Sequence, residues 1–201
     1  MICLLVARFL TRGSKARKCV NWTGIIISSI YLLWTVYNKF KVNAVFEKSL
    51  QNHGYVYSRY TTTPTILNNF LWTCTAEGED EFYQGFYSIF DQEPEVKAFN
   101  IIPKNHKLIA KYQNVEDFKT LRWFSKDYYA IIIRKDGIMQ YNDLRFGLAN
   151  IKANNDESDY IFGFLLKEDE NGQLEVEEDR TAREEDMGGR FNDLMERIKG
   201  I

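Results

Sequence analysis

An aspartate and an arginine two positions apart, Asp143 and Arg145, best combine the residue types and spacing that binding chemistry needs. They stand in the segment YNDLRFG, which is predicted to be a strand, and alternate residues of a strand share one face. Their side chains can form a salt bridge with each other. Alternatively, they can hold a carboxylate or phosphate of a ligand. The spacing alone leaves both possibilities open, and the salt bridge is the favoured one.

A second polar group stands in YTTTPTILNNFLW, residues 60–72, which contains four threonines and two adjacent asparagines. Thr65 and Asn68 are suited to hydrogen-bond loose backbone groups around Pro64. Trp72 is predicted to pack into a sheet. A structural role is favoured here over a ligand site. The alternative to these structural roles is a ligand-binding face on the β-sheet. This predicted face comprises Arg59, Asn68, Trp72, Asp143 and Arg145.

Catalytic equipment is not visible in the sequence. The two histidines, His53 and His106, have no second histidine or cysteine at metal-ligand spacing. There is no glycine-rich phosphate loop and no nucleophile elbow. Only Cys74 falls in the predicted soluble part, so no disulfide framework is expected. We predict no catalytic residue, no metal site and no cofactor in this chain.

A membrane helix is predicted for Asn21–Phe40, where the first charge is Lys39. Twenty helical residues cover about 30 Å, the thickness of the hydrocarbon layer. Five basic residues and no acidic one lie between Arg8 and Lys18, and basic loops stay on the cytoplasmic side. The C-terminal domain is therefore expected outside the cytoplasm. The helix is expected to continue to Gly54, with Val42, Val45, Phe46 and Leu50 on one face.

From Tyr55 onward the pattern is typical of an antiparallel α+β domain, the predicted fold class behind the membrane helix. Turns are expected at Gly78–Asp80 and at Gly137. An amphipathic helix is predicted for residues 114–124, with Val115, Phe118, Leu121 and Phe124 on one face, and another for residues 190–201. About six strands are predicted: residues 55–63, 69–78, 81–91, 128–134, 138–143 and 159–169.

The predicted domain limits follow the changes in hydropathy, strand pattern and charge along the chain. The net charge of −2 gives no indication of nucleic-acid binding. Residues 167–186 contain ten acidic and three basic residues, and are expected to be solvated. We predict the end of a membrane helix and a basic loop in residues 1–19 and a membrane helix with stalk in 20–53. A β-rich domain is predicted for 54–167, and an acidic segment with a C-terminal helix for 168–201.

Three segments in this order, TPTILNNFLWTC, LRWFSKDYY and YNDLRFG, resemble the C-terminal half of the membrane-bound metal-dependent hydrolases. The likeness covers roughly residues 20–167. The resemblance implies the inner membrane of a bacterium and a divalent metal in the full-length family. The metal motif of that family, with histidines and an aspartate in an N-terminal membrane region, has no match here, so no catalytic residue is carried over. The resemblance depends on Pro64–Thr65, Asn68, Leu71–Trp72, Trp123–Phe124 and Asp143–Phe146.

Two functions remain open at this point. The chain is either the accessory domain of such a hydrolase or a membrane-tethered binding module with no enzymatic role. The apolar residues 1–10 resemble the end of a preceding membrane helix. The expected partners are therefore the lipid bilayer and upstream membrane helices, and no nucleic acid.

Overall fold

A computed structural model describes residues 9–11, 13–65, 68–148, 159–169, 173–179 and 187–200. The chain forms two compact units, Met1–Lys41 and Val42–Ile201. The predicted partial helix at residues 1–10 lies almost wholly outside the described residues.

The first element is a single long helix, α1, Lys15–Asn52. Ser14 caps its beginning by accepting a hydrogen bond from the Arg17 N–H at 3.2 Å. Gly54 terminates the helix just beyond its last residue. The Gly54 φ of 71° lets the Tyr55 N–H donate to the Leu50 carbonyl at 3.0 Å. The predicted helix at residues 21–40 and its predicted continuation are therefore confirmed as one helix. Of the helices in the described residues, α1 is the one long and apolar enough to cross a membrane.

The first half of the second unit is an antiparallel sheet, sheet A, with its strands in chain order. The predicted hairpin is confirmed, and the Gly78 N–H donates to the Glu81 carbonyl at 2.9 Å across its turn. The last strand was not predicted, and it raises the number of strands in this half to four. They are β1 Arg59–Pro64, β2 Leu71–Glu77, β3 Glu81–Ser88 and β4 Phe99–Pro103.

A 3₁₀ helix, His106–Tyr112, and helix α2, Glu116–Ser125, lead to the second sheet. Helix α2 was predicted, and Phe118 and Leu121 are buried as expected. Phe124, predicted on the same apolar face, is 43% exposed instead. The α-helical period places it about 60° from Leu121, at the margin of the buried stripe.

Sheet B repeats the antiparallel order of sheet A. Gly137, with a φ of 84°, makes the predicted turn. The prediction that residues 167–186 are simply solvated was wrong for the last strand of this sheet. There Leu174 is buried and Val176 packs against the core. The strands are β5 Tyr129–Ile133, β6 Met139–Leu148, β7 Tyr160–Glu168 and β8 Leu174–Glu178.

The main core lies between the two sheets. The two antiparallel sheets and the separate helices confirm the predicted α+β class. The C-terminal helix α3, Met187–Ile198, packs Leu194 and Ile198 against it. The final turns of α1 bring Val42, Val45 and Phe46 against Trp72 in a separate cluster of sheet A. The buried residues of the main core come from both sheets and from the segments that connect their strands: Leu71, Phe82, Phe86, Ile102, Tyr128, Ala130, Leu144, Leu148 and Tyr160.

Candidate functional site

The candidate site is built on an irregularity in β6. This strand pairs regularly with β7 as far as Asp143, and pairing resumes at Leu148 after a shift in register. Such bulges bend a strand and redirect its side chains. Here the bulge, Leu144–Gly147, turns its backbone toward sheet A. Gly147 has a φ of 82°, and a Cβ at this position would lie 3.2 Å from the Thr73 side chain.

Threonines of sheet A hold this bulge in place. The Thr63 hydroxyl donates to the Arg145 carbonyl at 2.8 Å, and the Thr75 hydroxyl donates to the Leu144 carbonyl at 2.9 Å. The Gln84 amide also donates to the Leu144 carbonyl, at 3.0 Å. A buried carbonyl outside a regular ladder is costly unless it is hydrogen-bonded. Thr63, in the threonine-rich segment, therefore serves to join the sheets.

Asp143 and Arg145 form the predicted salt bridge. Arg145 Nη2 lies 2.6 Å from Asp143 Oδ2, and Nε lies 3.1 Å from Oδ1. The Arg145 backbone N–H also donates to Oδ1, at 3.0 Å. The Asp143 side chain is fully buried, whereas that of Arg145 is 17% exposed. The carboxylate thus fixes the guanidinium at the rim of the domain, and no described residue accepts a hydrogen bond from Nη1.

Aromatic rings surround this fixed arginine. The Arg145 guanidinium carbon lies 4.9 Å from the ring centre of Phe124 and 5.2 Å from that of Phe146. Phe146 packs on Phe162 of β7, with ring centres 4.7 Å apart. Trp123, next to Phe124 on α2, is 80% exposed. We call Trp123, Phe124, Arg145, Phe146 and Phe162 the aromatic–arginine surface.

Arg145 is predicted from the sequence to belong to the site, whereas the rings around it are not. From the sequence, Trp123 and Phe146 are identified only as parts of motifs, Phe124 as part of the apolar face of α2, and Phe162 as part of a strand. A usable indication was present in the pattern of Phe146 and Phe162. They belong to neighbouring strands, and Phe146 is 41% exposed. Their proximity to α2 depends on the tertiary fold.

Arg59 belongs to a separate charged cluster at the other end of β1. Its Nε bonds to Glu77 Oε2 at 2.5 Å, and Lys104 Nζ bonds to Glu77 Oε1 at 2.8 Å. The Arg59 guanidinium also lies 4.3 Å from the ring centre of Tyr128. Burial disfavours the charged form of Glu77, but the hydrogen bonds from Lys104 and Arg59 outweigh it and lower the pKa of this carboxyl.

Asn68 and Trp72 hold the connection between β1 and β2. The Asn68 side-chain oxygen accepts from the backbone N–H groups of Phe70 and Leu71, at 3.0 and 2.8 Å. The Trp72 indole is buried and donates to the Asn69 carbonyl at 3.3 Å. Of the five predicted ligand-binding residues, the structure therefore brings only Asp143 and Arg145 together, and Asp143 and Trp72 are buried.

The histidines have structural surroundings. The His106 ring stacks on Tyr129 at 4.0 Å, and its Nε2 lies 2.9 Å from the Tyr129 carbonyl. Burial lowers the pKa of His106, which favours the neutral ring at pH 7. His53 Nδ1 lies 2.8 Å from the Ser49 carbonyl. Within the described residues, no group of three or more histidine, cysteine or acidic side chains could hold a metal ion.

Comparison with protein-family models, with curated proteins and with solved structures found no match for this chain.

Proposed function

We propose that this chain is a membrane-anchored binding domain without catalytic activity of its own, and that it recognises a protein partner through the aromatic–arginine surface. The observation that carries the proposal is a fixed guanidinium with two partly exposed rings beside it, Phe124 and Phe146, and the exposed Trp123 next to Phe124 on α2. Trp123 is 80%, Phe124 43% and Phe146 41% exposed. Exposed apolar groups that form one patch, unlike scattered ones, are typical of interaction sites.

The composition of the patch favours a protein as the partner. Tryptophan and arginine are the residue types most enriched among those that dominate binding energy at protein interfaces. Asp143 holds Arg145 in one orientation, which reduces the entropy lost when a partner binds. A lipid surface would use the exposed rings but would gain little from an arginine that is fixed in a bidentate pair. The Nη1 group of Arg145 can donate a hydrogen bond to an acceptor on the partner.

Membrane anchoring is the second part of the proposal, and α1 supports it. It carries no charged side chain between Asn21 and Asn38. Trp22 stands near one end of the apolar run, with Trp34 and Tyr37 toward the other, as in interfacial aromatic belts. The five basic residues that precede the apolar run favour the cytoplasmic side for that end, and we propose that the C-terminal domain lies outside the cytoplasm. We propose the inner membrane of a bacterium as the location.

Site-specific photocrosslinking tests the partner. We would replace Trp123 by p-benzoylphenylalanine in the full chain, irradiate native membranes, and identify the adducts by mass spectrometry. The matched control places the same probe at Val56, which is 83% exposed. The proposal predicts one defined protein adduct from position 123 and none from position 56. Adducts with lipid only, or the same adducts from both positions, would contradict it.

The resemblance described above favours a second candidate, the accessory domain of a membrane-bound metal-dependent hydrolase. In that case a metal would activate water in a separate membrane region. The intact mass of the protein in its native membrane distinguishes the candidates. A mass near 23.7 kDa supports the free-standing module, and a mass larger by several membrane helices supports the accessory domain.

A further inference from the structure

A cavity of about 260 Å³ lies beside the C-terminal helix, away from the residues of the aromatic–arginine surface. It is formed by the end of β3, the segment that precedes and enters β4, and the last turn of α3. Its walls carry both apolar and charged groups. The lining residues are Phe86, Asp91, Lys97, Ala98, Asn100, Arg197 and Gly200.

One wall of the cavity is fixed by a paired arginine. Arg197 Nη1 and Nη2 lie 2.5 and 2.7 Å from the two carboxylate oxygens of Asp91. Nη2 also lies 3.2 Å from the Phe86 carbonyl. The neighbouring Ile198 carbonyl accepts a hydrogen bond from Ser88. These contacts tie the last turn of α3 to β3, so this side of the cavity is preformed.

Two other polar groups of the lining have no internal partner. Neither the Lys97 ammonium nor the Asn100 amide makes a side-chain hydrogen bond or ion pair with a described residue. Because Asp91 neutralises Arg197, Lys97 leaves the cavity with a net charge of +1. The groups that remain available to a ligand are therefore a cation and an amide that can donate.

We propose that this cavity binds a small organic monoanion, a carboxylate with a short apolar body. Lys97 would pair with the carboxylate, and the Asn100 amide would donate to it. Phe86 and Ala98 provide apolar wall for the rest of the molecule. Drug-sized ligands occupy roughly 300–1,000 Å³, so this cavity suits a smaller one. The proposal does not depend on the function proposed for the aromatic–arginine surface.

Ligand-observed ¹⁹F NMR tests this site, with the full chain in lipid nanodiscs. The probe is 4-fluorobenzoate, and 4-fluorobenzamide has the same shape without the charge. We expect saturable binding of the benzoate with a Kd on the order of millimolar, and much weaker binding of the benzamide. Lys97→Gln should weaken benzoate binding about three- to fivefold, since an exposed ion pair has a modest effect. Lys107→Gln, at another exposed lysine, should leave it unchanged.

Several results would overturn this proposal. They are equal binding of the benzoate and the benzamide, an unchanged Kd in the Lys97→Gln variant, or no saturable binding below about 20 mM. Inorganic phosphate that displaces the benzoate at similar concentrations would also overturn it, because the site would then select an oxyanion without regard to the apolar body. Both substitutions are at exposed side chains, so folding is expected to be retained, and circular dichroism checks it.

Discussion

At the scale of single residues, the main feature of this domain is a carboxylate that organises its neighbours. Asp143 is fully buried and accepts hydrogen bonds from three groups of Arg145, the backbone N–H, Nε and Nη2. A buried carboxylate is stable only when its charge is compensated in this way. The same contacts fix the guanidinium that the aromatic rings surround, so stability and the proposed binding depend on one pair.

Asp143→Asn is expected to lower the free energy of unfolding by about 3 kcal/mol, because removing one partner of a buried pair leaves the other uncompensated. Urea titration of the full chain in detergent micelles measures this. The control is Asp127→Asn, which breaks the exposed Arg122–Asp127 pair, with side chains 39% and 47% exposed. The control should lose less than about 1 kcal/mol. Equal losses in the two variants would contradict the structural role of Asp143.

Glu77 is expected to contribute stability that acid removes. Lys104 and Arg59 lower the pKa of Glu77 below its ordinary value of 4.5 in the folded state. The folded protein therefore releases this proton more readily than the unfolded chain. The resulting stabilisation is present above about pH 4.5, and it is lost as the pH falls through the lowered pKa.

Thermal unfolding of wild type and Glu77→Gln between pH 7 and pH 3 tests this contribution. Wild type should have the higher Tm at pH 7, and the difference should shrink below about pH 4.5. Glu79→Gln, in the exposed turn between β2 and β3, should follow wild type throughout. A difference between wild type and Glu77→Gln that stays constant down to pH 3 would show that Glu77 is not the group responsible.

At the scale of elements, the bulge in β6 connects the two sheets. Its carbonyls are hydrogen-bonded by Thr63, Thr75 and Gln84 of sheet A, and Gly147 lets the backbone approach Thr73. A bulge of this kind redirects side chains without ending the strand. The redirection places Arg145 and Phe146 beside α2.

Gly147→Ala is expected to destabilise the protein more than Gly137→Ala does. Both glycines have similar positive φ angles, 82° and 84°. A Cβ at Gly137 would meet nothing within 4 Å, whereas one at Gly147 would lie 3.2 Å from Thr73. The φ cost alone is about 1–2 kcal/mol, and crowding should add to it only at Gly147. Urea titration of both variants measures the difference, and equal losses would contradict close packing at the bulge.

The sequence predicted those elements whose local pattern is strong. Gly137 and Gly78 marked hairpins, and the spacing of Asp143 and Arg145 predicted their pairing. Strand β4 is short, ends at Pro103 and has no clear alternation, so its pairing with β3 depends on the tertiary fold. Strand β8 was not predicted because its acidic residues indicated a solvated segment, although Leu174 and Val176 alternate with glutamates. The rings around Arg145 come from α2, β6 and β7, which no local pattern brings together.

At the scale of the whole molecule, the described residues combine one candidate membrane-spanning helix with a domain of two sheets. A tethered domain meets partners in the same membrane at a high effective concentration, so a moderate affinity suffices for binding. The proposed function uses this arrangement. In this proposal, the helix confines the chain to the membrane and the aromatic–arginine surface selects the partner.

Co-purification from native membranes tests directly whether the aromatic–arginine surface binds the partner. The quantity measured is the amount of the crosslinked partner that is recovered with the full chain when a single exposed residue is changed. Trp123→Ser and Val56→Ser remove apolar side chains of similar exposure, 80% and 83%. We predict that Trp123→Ser lowers recovery of the partner at least about tenfold, as truncation of a dominant interface residue does, and that Val56→Ser leaves it unchanged. Undiminished recovery with Trp123→Ser, in protein with wild-type Tm, would show that this surface is not the binding site.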